Sequence, residues 1–172
     1  SVIKISPKLD AGDVLYQESL KISEDMYSDE LTSALTNLGK RTMLEVLPII
    51  FEKNISSNKQ DSKKVTYAKK FTSNDRKINF NNSTTQVYNH IRAHGPKPGS
   101  WFVYRGERIK ILKASKHKDK GKKSTILNNK FMLACSDGSI LPTLIQREGK
   151  KAVEVKDFIK GFTFTVNDKI NA

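Results

Sequence analysis

The chain has 172 residues, with 31 Lys or Arg against 18 Asp or Glu, a net charge of +13 and a pI near 9.8. Hydrophobic residues make up 37%, enough for a core, yet no run approaches the roughly 18 to 20 apolar residues of a membrane-spanning helix. Cys135 is the single cysteine, which excludes an intrachain disulfide and fits a reducing, cytoplasmic setting.

Taken in chain order, Val2 to Ile5 alternates as a strand and is broken by Ser6-Pro7-Lys8. Ser1 leads straight into it, with no initiator methionine and no secretory signal, so the expectation is a chain that begins mid-protein. Asp10-Ala11-Gly12-Asp13 reads as a turn, and Val14 to Ile22 as a second strand. Ser28 is a fitting N-cap, with Asp29 and Glu30 in the first helical turn. Leu31, Ala34, Leu35 and Leu38 recur at helical spacing. Gly39 is expected to interrupt that helix and Pro48 to bend or shorten it. Residues 54–64 hold one apolar side chain, Ile55, and read as an exposed linker.

Beyond the linker, short apolar runs dominate. Strands are predicted at Val65 to Phe71, Lys77 to Phe80, Ser100 to Tyr104, Arg108 to Ala114, Phe131 to Ser136, Ser139 to Ile145 and Gly161 to Val166. Helices are predicted at Thr84 to His94, ending at Gly95-Pro96, and at Val155 to Lys160. Lys116 to Lys123 is a solvated loop. Many short strands with a helix or two point to a small barrel or sandwich, with a five-stranded oligonucleotide-binding (OB) barrel favoured.

Charge divides the chain in two. Residues 1–60 carry seven Lys/Arg and nine Asp/Glu, a net of −2, and residues 61–172 carry a net of +15. The basic part is built to attract a polyanion, RNA or DNA in a cytosolic protein. The competing reading is a solvated lysine- and asparagine-rich surface. Histidines offer little chemistry: His90 and His94 stand four apart on a predicted helix, with no third ligand, so no metal is expected. Cys135 reads as core, and Trp101 is expected to be buried. Phe102 and Tyr104 read as core first and as base-stacking surfaces second. Asp10 and Asp13 are either ordinary turn residues or carboxylates lining a cleft.

Several separated pieces, in order, resemble the methionyl-tRNA formyltransferase family. They are the Leu9 to Gln17 run (LDAGDVLYQ), then Leu31, Leu35 and Leu38-Gly39, and then Val65-Thr66-Tyr67-Ala68-Lys69-Lys70. Ile78-Asn79-Phe80, Ile91-Arg92-Ala93 with Pro96 and Pro98-Gly99, and Ile109-Lys110-Ile111 with Ala114 follow. Gln146, Glu148-Gly149-Lys150-Lys151 and Asp157-Phe158 to Gly161 close the match.

The resemblance implies an α+β chain: the C-terminal remnant of a Rossmann-like formyltransferase domain (1–54), a linker (55–64) and a basic OB-fold-like domain (65–172). It implies transfer of a formyl group from 10-formyltetrahydrofolate to the amine of methionyl-initiator tRNA, without a metal, by a monomer. Asp10 falls on the family's catalytic Leu-Asp-x-Gly aspartate. The family's Asn-x-His catalytic motif is absent from this chain, so the chain alone is expected to be inactive. The tRNA-binding candidates are Arg92, Lys97, Arg105, Arg108, Lys110, Lys113, Lys150 and Lys151. The alternative is a freestanding OB-fold RNA-binding module without catalysis.

Overall fold

Val2 and Ile3 form strand β1 (Val2–Ile3), paired antiparallel with β2 (Val14–Tyr16), in a computed structural model that describes residues 1–52 and 55–171. Asn54, where the first domain was expected to end, and Ala172 lie outside the described residues. The chain forms two compact units: Ser1–Glu24 with Glu30–Lys70, and Asp25–Asp29 with Phe71–Ala172.

In the first unit the strand predicted to reach Ile22 stops at Tyr16, since β1 offers partners only that far. Helix α1 (Ser28–Phe51) runs unbroken through Gly39 and past Pro48, against the expected interruption and shortening. Glycine in a helix costs only about 1 kcal/mol, and tertiary anchoring outweighs it. Thr42 and Val46 are buried, and the Thr42 hydroxyl (2.9 Å) and Arg41 guanidinium both donate to Glu18. Pro48 sits in the last turn, where the Glu52 N–H donates to its carbonyl (3.0 Å). The residues expected as a linker are held locally: Asn58 exchanges both backbone hydrogen bonds with Val14 (2.8 and 2.9 Å).

In the second unit α2 (Thr84–His94) begins and ends as its sequence predicts. Ser83 and Gln86 form a capping box, and Asp137 accepts from the Thr84 N–H (2.7 Å) and hydroxyl (2.8 Å). Those bonds hold the Asp137 carboxyl below its ordinary range. Thr84, Val87, Tyr88, Ile91 and His94 form the buried stripe.

The main sheet has five strands: β3 (Ser100–Tyr104), β4 (Glu107–His117), β5 (Leu133–Ala134), β6 (Ser139–Arg147) and β7 (Val153–Glu154), followed by α3 (Val155–Phe158). All pairings are antiparallel, in the order β3-β4-β6-β5, with β7 also on β6. β4 pairs along the length of β6, so β5 and β7 share its other edge. Arg105-Gly106, both at positive φ (49° and 77°), make the two-residue turn from β3 to β4.

Three predicted strands do not form. Val65 to Phe71 is irregular, with Tyr67 86% and Phe71 76% exposed, because no neighbouring edge takes its backbone. Lys77 to Phe80 makes one bridge, Lys77 to Trp101, although Ile78 and Phe80 are buried. Gly161 to Val166 is irregular and serves the core through its side chains. Phe162 and Phe164 pack on Phe131, which also meets Phe102 and Phe158 at centroid distances of 4.9 to 6.3 Å across this cluster. Cys135 is buried in that core as expected, and burial pushes its thiol up to about 12.

Candidate nucleic-acid interface and the Asp10 turn

Strand β4 gathers the basic side chains. Ile109 and Ile111 are fully buried, so Arg108 and Lys110 take the opposite face, where Lys110 stands between Trp101 and Gln146 in register. Strict alternation would turn Lys113 inward. An irregularity at Leu112 resets the register, and Lys113 stands opposite Leu144 on the outer face.

Aromatic rings lie close to three cations of β4, two of them on this outer face. The Arg108 guanidinium lies 4.1 Å from the Trp101 ring centroid, Lys113 Nζ 5.6 Å from Tyr27 and Lys116 Nζ 5.1 Å from Tyr88. Trp101 is 6% exposed, buried as expected, and its Nε1 donates to the Ser73 carbonyl (2.8 Å). Tyr27 is fixed where β3 has ended: its hydroxyl accepts from the Ala114 N–H (2.9 Å) and donates to the Ala114 carbonyl (3.3 Å). Phe102 and Tyr104 are buried and face the core.

The other candidates divide by what they touch. Lys97, Lys150 and Lys151 are exposed on turns. The Gln146 side chain donates to the Lys150 carbonyl (2.8 Å), which ties that hairpin tip to the β4–β6 outer face. Arg92 is committed internally, donating to the Met26 carbonyl (2.9 Å) and Asn89 (3.0 Å). Arg105 pairs with Asp168 (2.7 Å) and Thr165 (2.8 Å). Several acids of this unit are similarly engaged: Glu107 holds Arg147 through two hydrogen bonds (2.7 and 2.9 Å), Glu154 pairs with Lys156, and Asp157 with Lys160. The bases on β4 are left in excess. Sequence reading missed Lys77, which lies 5.7 Å from the Trp101 ring; its place one residue before buried Ile78 was the available signal.

His90 and His94 both lie on α2. His94 Nδ1 donates to the His90 carbonyl (2.9 Å), closing the last helical turn. Their rings lie 4.7 Å apart, and among the described residues no group of three potential ligands could hold a metal. Burial lowers the His90 pKa; a bond to the Arg76 backbone opposes this, and the charge of His94 adds to the lowering. The unfolded chain therefore binds the proton first as pH falls through the ordinary value of 6.5. The urea midpoint is expected to hold above that pH and drop below it, and His90→Gln to flatten the drop; a midpoint independent of pH between 7.5 and 5.5 would contradict this.

Asp10 lies in an exposed turn of the first unit at φ +51°, a left-handed conformation that aspartate tolerates. The turn is held rigidly. Gln60 Nε2 donates to the carbonyls of Asp10 (2.8 Å) and Gly12 (2.7 Å). A Cβ on Gly12 would fall 1.7 Å from the Lys4 carbonyl oxygen, so only glycine fits. Asp13 is otherwise engaged, accepting from Ser57 (3.2 Å) beside Lys4 (3.9 Å). All three histidines of the chain belong to the second unit, so the first contains no imidazole to partner Asp10.

The basic, aromatic-backed antiparallel sheet of the second unit falls within one family match. The description "Formyl transferase, C-terminal domain" fits residues 70–163, more than half of the chain, and the chain belongs to that family. The chain is 33% identical to methionyl-tRNA formyltransferase from Lactobacillus johnsonii, covering 99% of itself and 56% of that protein. It is 33% identical to the Rickettsia prowazekii enzyme of the same name, over 93% of this chain and 53% of that one. The chain thus spans about half the length of these relatives, corresponding to their carboxy-terminal part.

Solved structures share the fold. HypX from Aquifex aeolicus in complex with tetrahydrofolic acid matches at TM-score 0.71 and 17% identity, over 91% of this chain and 29% of that one. WlaRD, a sugar 3N-formyl transferase, matches at 0.63 and 19%, over 87% and 54%. Among the described residues no helix is long and apolar enough to cross a membrane.

Proposed function

We propose that this chain is the carboxy-terminal portion of a methionyl-tRNA formyltransferase, and that its second unit, a small barrel of the OB type, docks initiator tRNA. The observation that carries the docking reading is the outer face of β4. There Arg108, Lys110 and Lys113 project together, two of them held against aromatic rings. Such a row neutralises phosphates and releases counterions, which yields affinity that depends on salt more than on sequence. Lys150 and Lys151 extend the row; Arg92 and Arg105 are assigned to holding the fold.

The family membership supports the catalytic half of the reading. 10-Formyltetrahydrofolate would supply the formyl group, and Asp10 would orient a histidine and a water and help move protons between attacking and leaving nitrogens. The first unit offers no imidazole and no Asn-x-His sequence of its own to act beside Asp10. Leu44, Phe51 and other exposed apolar side chains on α1 suit packing against further protein.

The docking reading is tested by titrating initiator tRNA with the chain and with Arg108→Gln/Lys110→Gln across about 50 to 200 mM salt. The double variant is expected to bind about tenfold or more weakly, with a log–log salt slope shallower by about 2, from roughly 0.9 per phosphate contact. Equal affinity and slope would leave β4 a solvated surface.

A further inference from the structure

A second group of lysines lies on the second unit, apart from the bases expected from the sequence. Lys77, Lys122, Lys123 and Lys169, with Asn79 and Asn81, line an open cavity of about 660 Å³. Buried Ile78 and Ile170 also contribute to its lining.

The four lysines arrive on three stretches of chain, each tied down by backbone bonds. Lys77 bridges Trp101, and the Ile78 N–H donates to the Trp101 carbonyl (2.7 Å). Lys169 bridges Thr125, and the Ile170 N–H donates to the Ser124 carbonyl (3.0 Å). Ser124, directly after Lys122 and Lys123, donates its own N–H to Ala134 (3.0 Å). Asn171 joins the stretches: its side chain donates to the Ile78 carbonyl (2.7 Å) and accepts from the Val103 N–H (3.0 Å). The backbone of the cluster is therefore fixed, while its exposed ammonium groups keep flexible stems.

No carboxylate is among the residues lining this cavity. Asp168, next to Lys169, is taken by Tyr104 (2.7 Å) and Arg105 (2.7 Å), which hold it below the usual carboxylate range. Asp75, two residues before Lys77, accepts from Thr72. Four like charges around one concavity, with no neutralising acid, raise a positive potential that a polyanion relieves. Lysine serves such a site as a point-charge phosphate binder, and the asparagine amides add donors. At about 30 Å³ per water, the cavity has the volume of roughly twenty waters, far more than one small anion fills. It also adjoins the β4 face, since Lys77 approaches the Trp101 ring that Arg108 covers.

We propose that this cavity holds a short stretch of the phosphodiester backbone of the RNA docked on β4, the strand passing from Arg108 over Lys77 into the lysine cluster. The proposal rests on the RNA-docking reading above and extends the docked surface beyond it.

The test compares the 172-residue chain, Arg108→Gln/Lys110→Gln and Lys122→Gln/Lys123→Gln/Lys169→Gln in binding fluorescein-labelled initiator tRNA. Affinity is read across about 50 to 200 mM KCl, and urea midpoints check that both variants fold. The triple variant is expected to bind at least about tenfold more weakly at low salt, with a log–log slope shallower by about 2 to 3. Acetylation of Lys122, Lys123 and Lys169 is expected to fall when tRNA is bound. A triple variant with wild-type affinity and slope, beside a weakened double variant, overturns the cavity site and leaves β4 docking intact. Weakened binding with an unchanged slope also overturns it, since phosphate contacts are not then what was lost. No binding by the unaltered chain overturns both.

Discussion

Asp10→Asn, in a full-length formyltransferase carrying this sequence as its carboxy-terminal part, is expected to slow formylation by about 10²- to 10⁴-fold with tRNA affinity unchanged. That range is what one positioned acid–base group contributes. Asparagine keeps the size of the side chain and its tolerance of the left-handed backbone at φ +51°, so the change removes charge and proton exchange without disturbing the turn. Gln60 holds the turn through backbone carbonyls, and those bonds survive the substitution. Asp13→Asn is the control, because its carboxylate already serves Ser57 and Lys4. Single-turnover formylation of methionyl-tRNA measures both, and the chain alone is expected to give no product. Unaltered turnover in Asp10→Asn would move the role to another group, and product from the chain alone would show a complete site within it.

Phe131→Ala is expected to destabilise the second unit by about 3 to 5 kcal/mol, the usual loss for a fully buried phenylalanine. A domain's whole stability is about 5 to 15 kcal/mol, so the variant stands near the edge of folding. Phe131 is fully buried and meets Phe102, Phe158, Phe162 and Phe164, and it does so at φ +63°, a conformation that costs a bulky residue roughly 1 to 2 kcal/mol. Phe131→Gly separates packing from backbone strain. At an ordinary position glycine is worse than alanine by about 0.5 to 1 kcal/mol; here relief at positive φ is expected to bring the two variants level. Urea unfolding followed by Trp101 fluorescence measures both. A loss under about 1 kcal/mol for Phe131→Ala would show that the cluster repacks around the gap.

Local signals carried much of the fold. Helix α2 is legible because Val87 and Ile91 stand four apart on one face and Gly95-Pro96 closes it; the Ser83–Gln86 capping box emerged from the structure. Strand β3 and the core of β4 and β6 are legible from apolar runs, and the division of charge marked the basic unit. The Asp10 turn was legible from its Asp and Gly residues, its catalytic reading came from the family resemblance, and the structure added the close approach of Lys4 to Gly12.

Distant contacts decided the rest. A glycine that weakens α1 locally is overridden by Glu18 gripping Arg41 and Thr42. Val65 to Phe71 has strand composition and no strand, since pairing needs a neighbour that sequence pattern cannot supply. One extra residue at Leu112 turns Lys113 to the face of Arg108 and Lys110, and alternation alone cannot reveal such a bulge. The same holds for which bases already have partners: Arg92 and Arg105 look like Arg108 in the sequence, and only the structure shows their hydrogen bonds to Met26 and Asp168. Residue type and spacing thus determined which elements and chemistries this chain carries. Only tertiary structure decided which side chains meet, because a carbonyl or carboxylate far along the chain settles where each charge is spent.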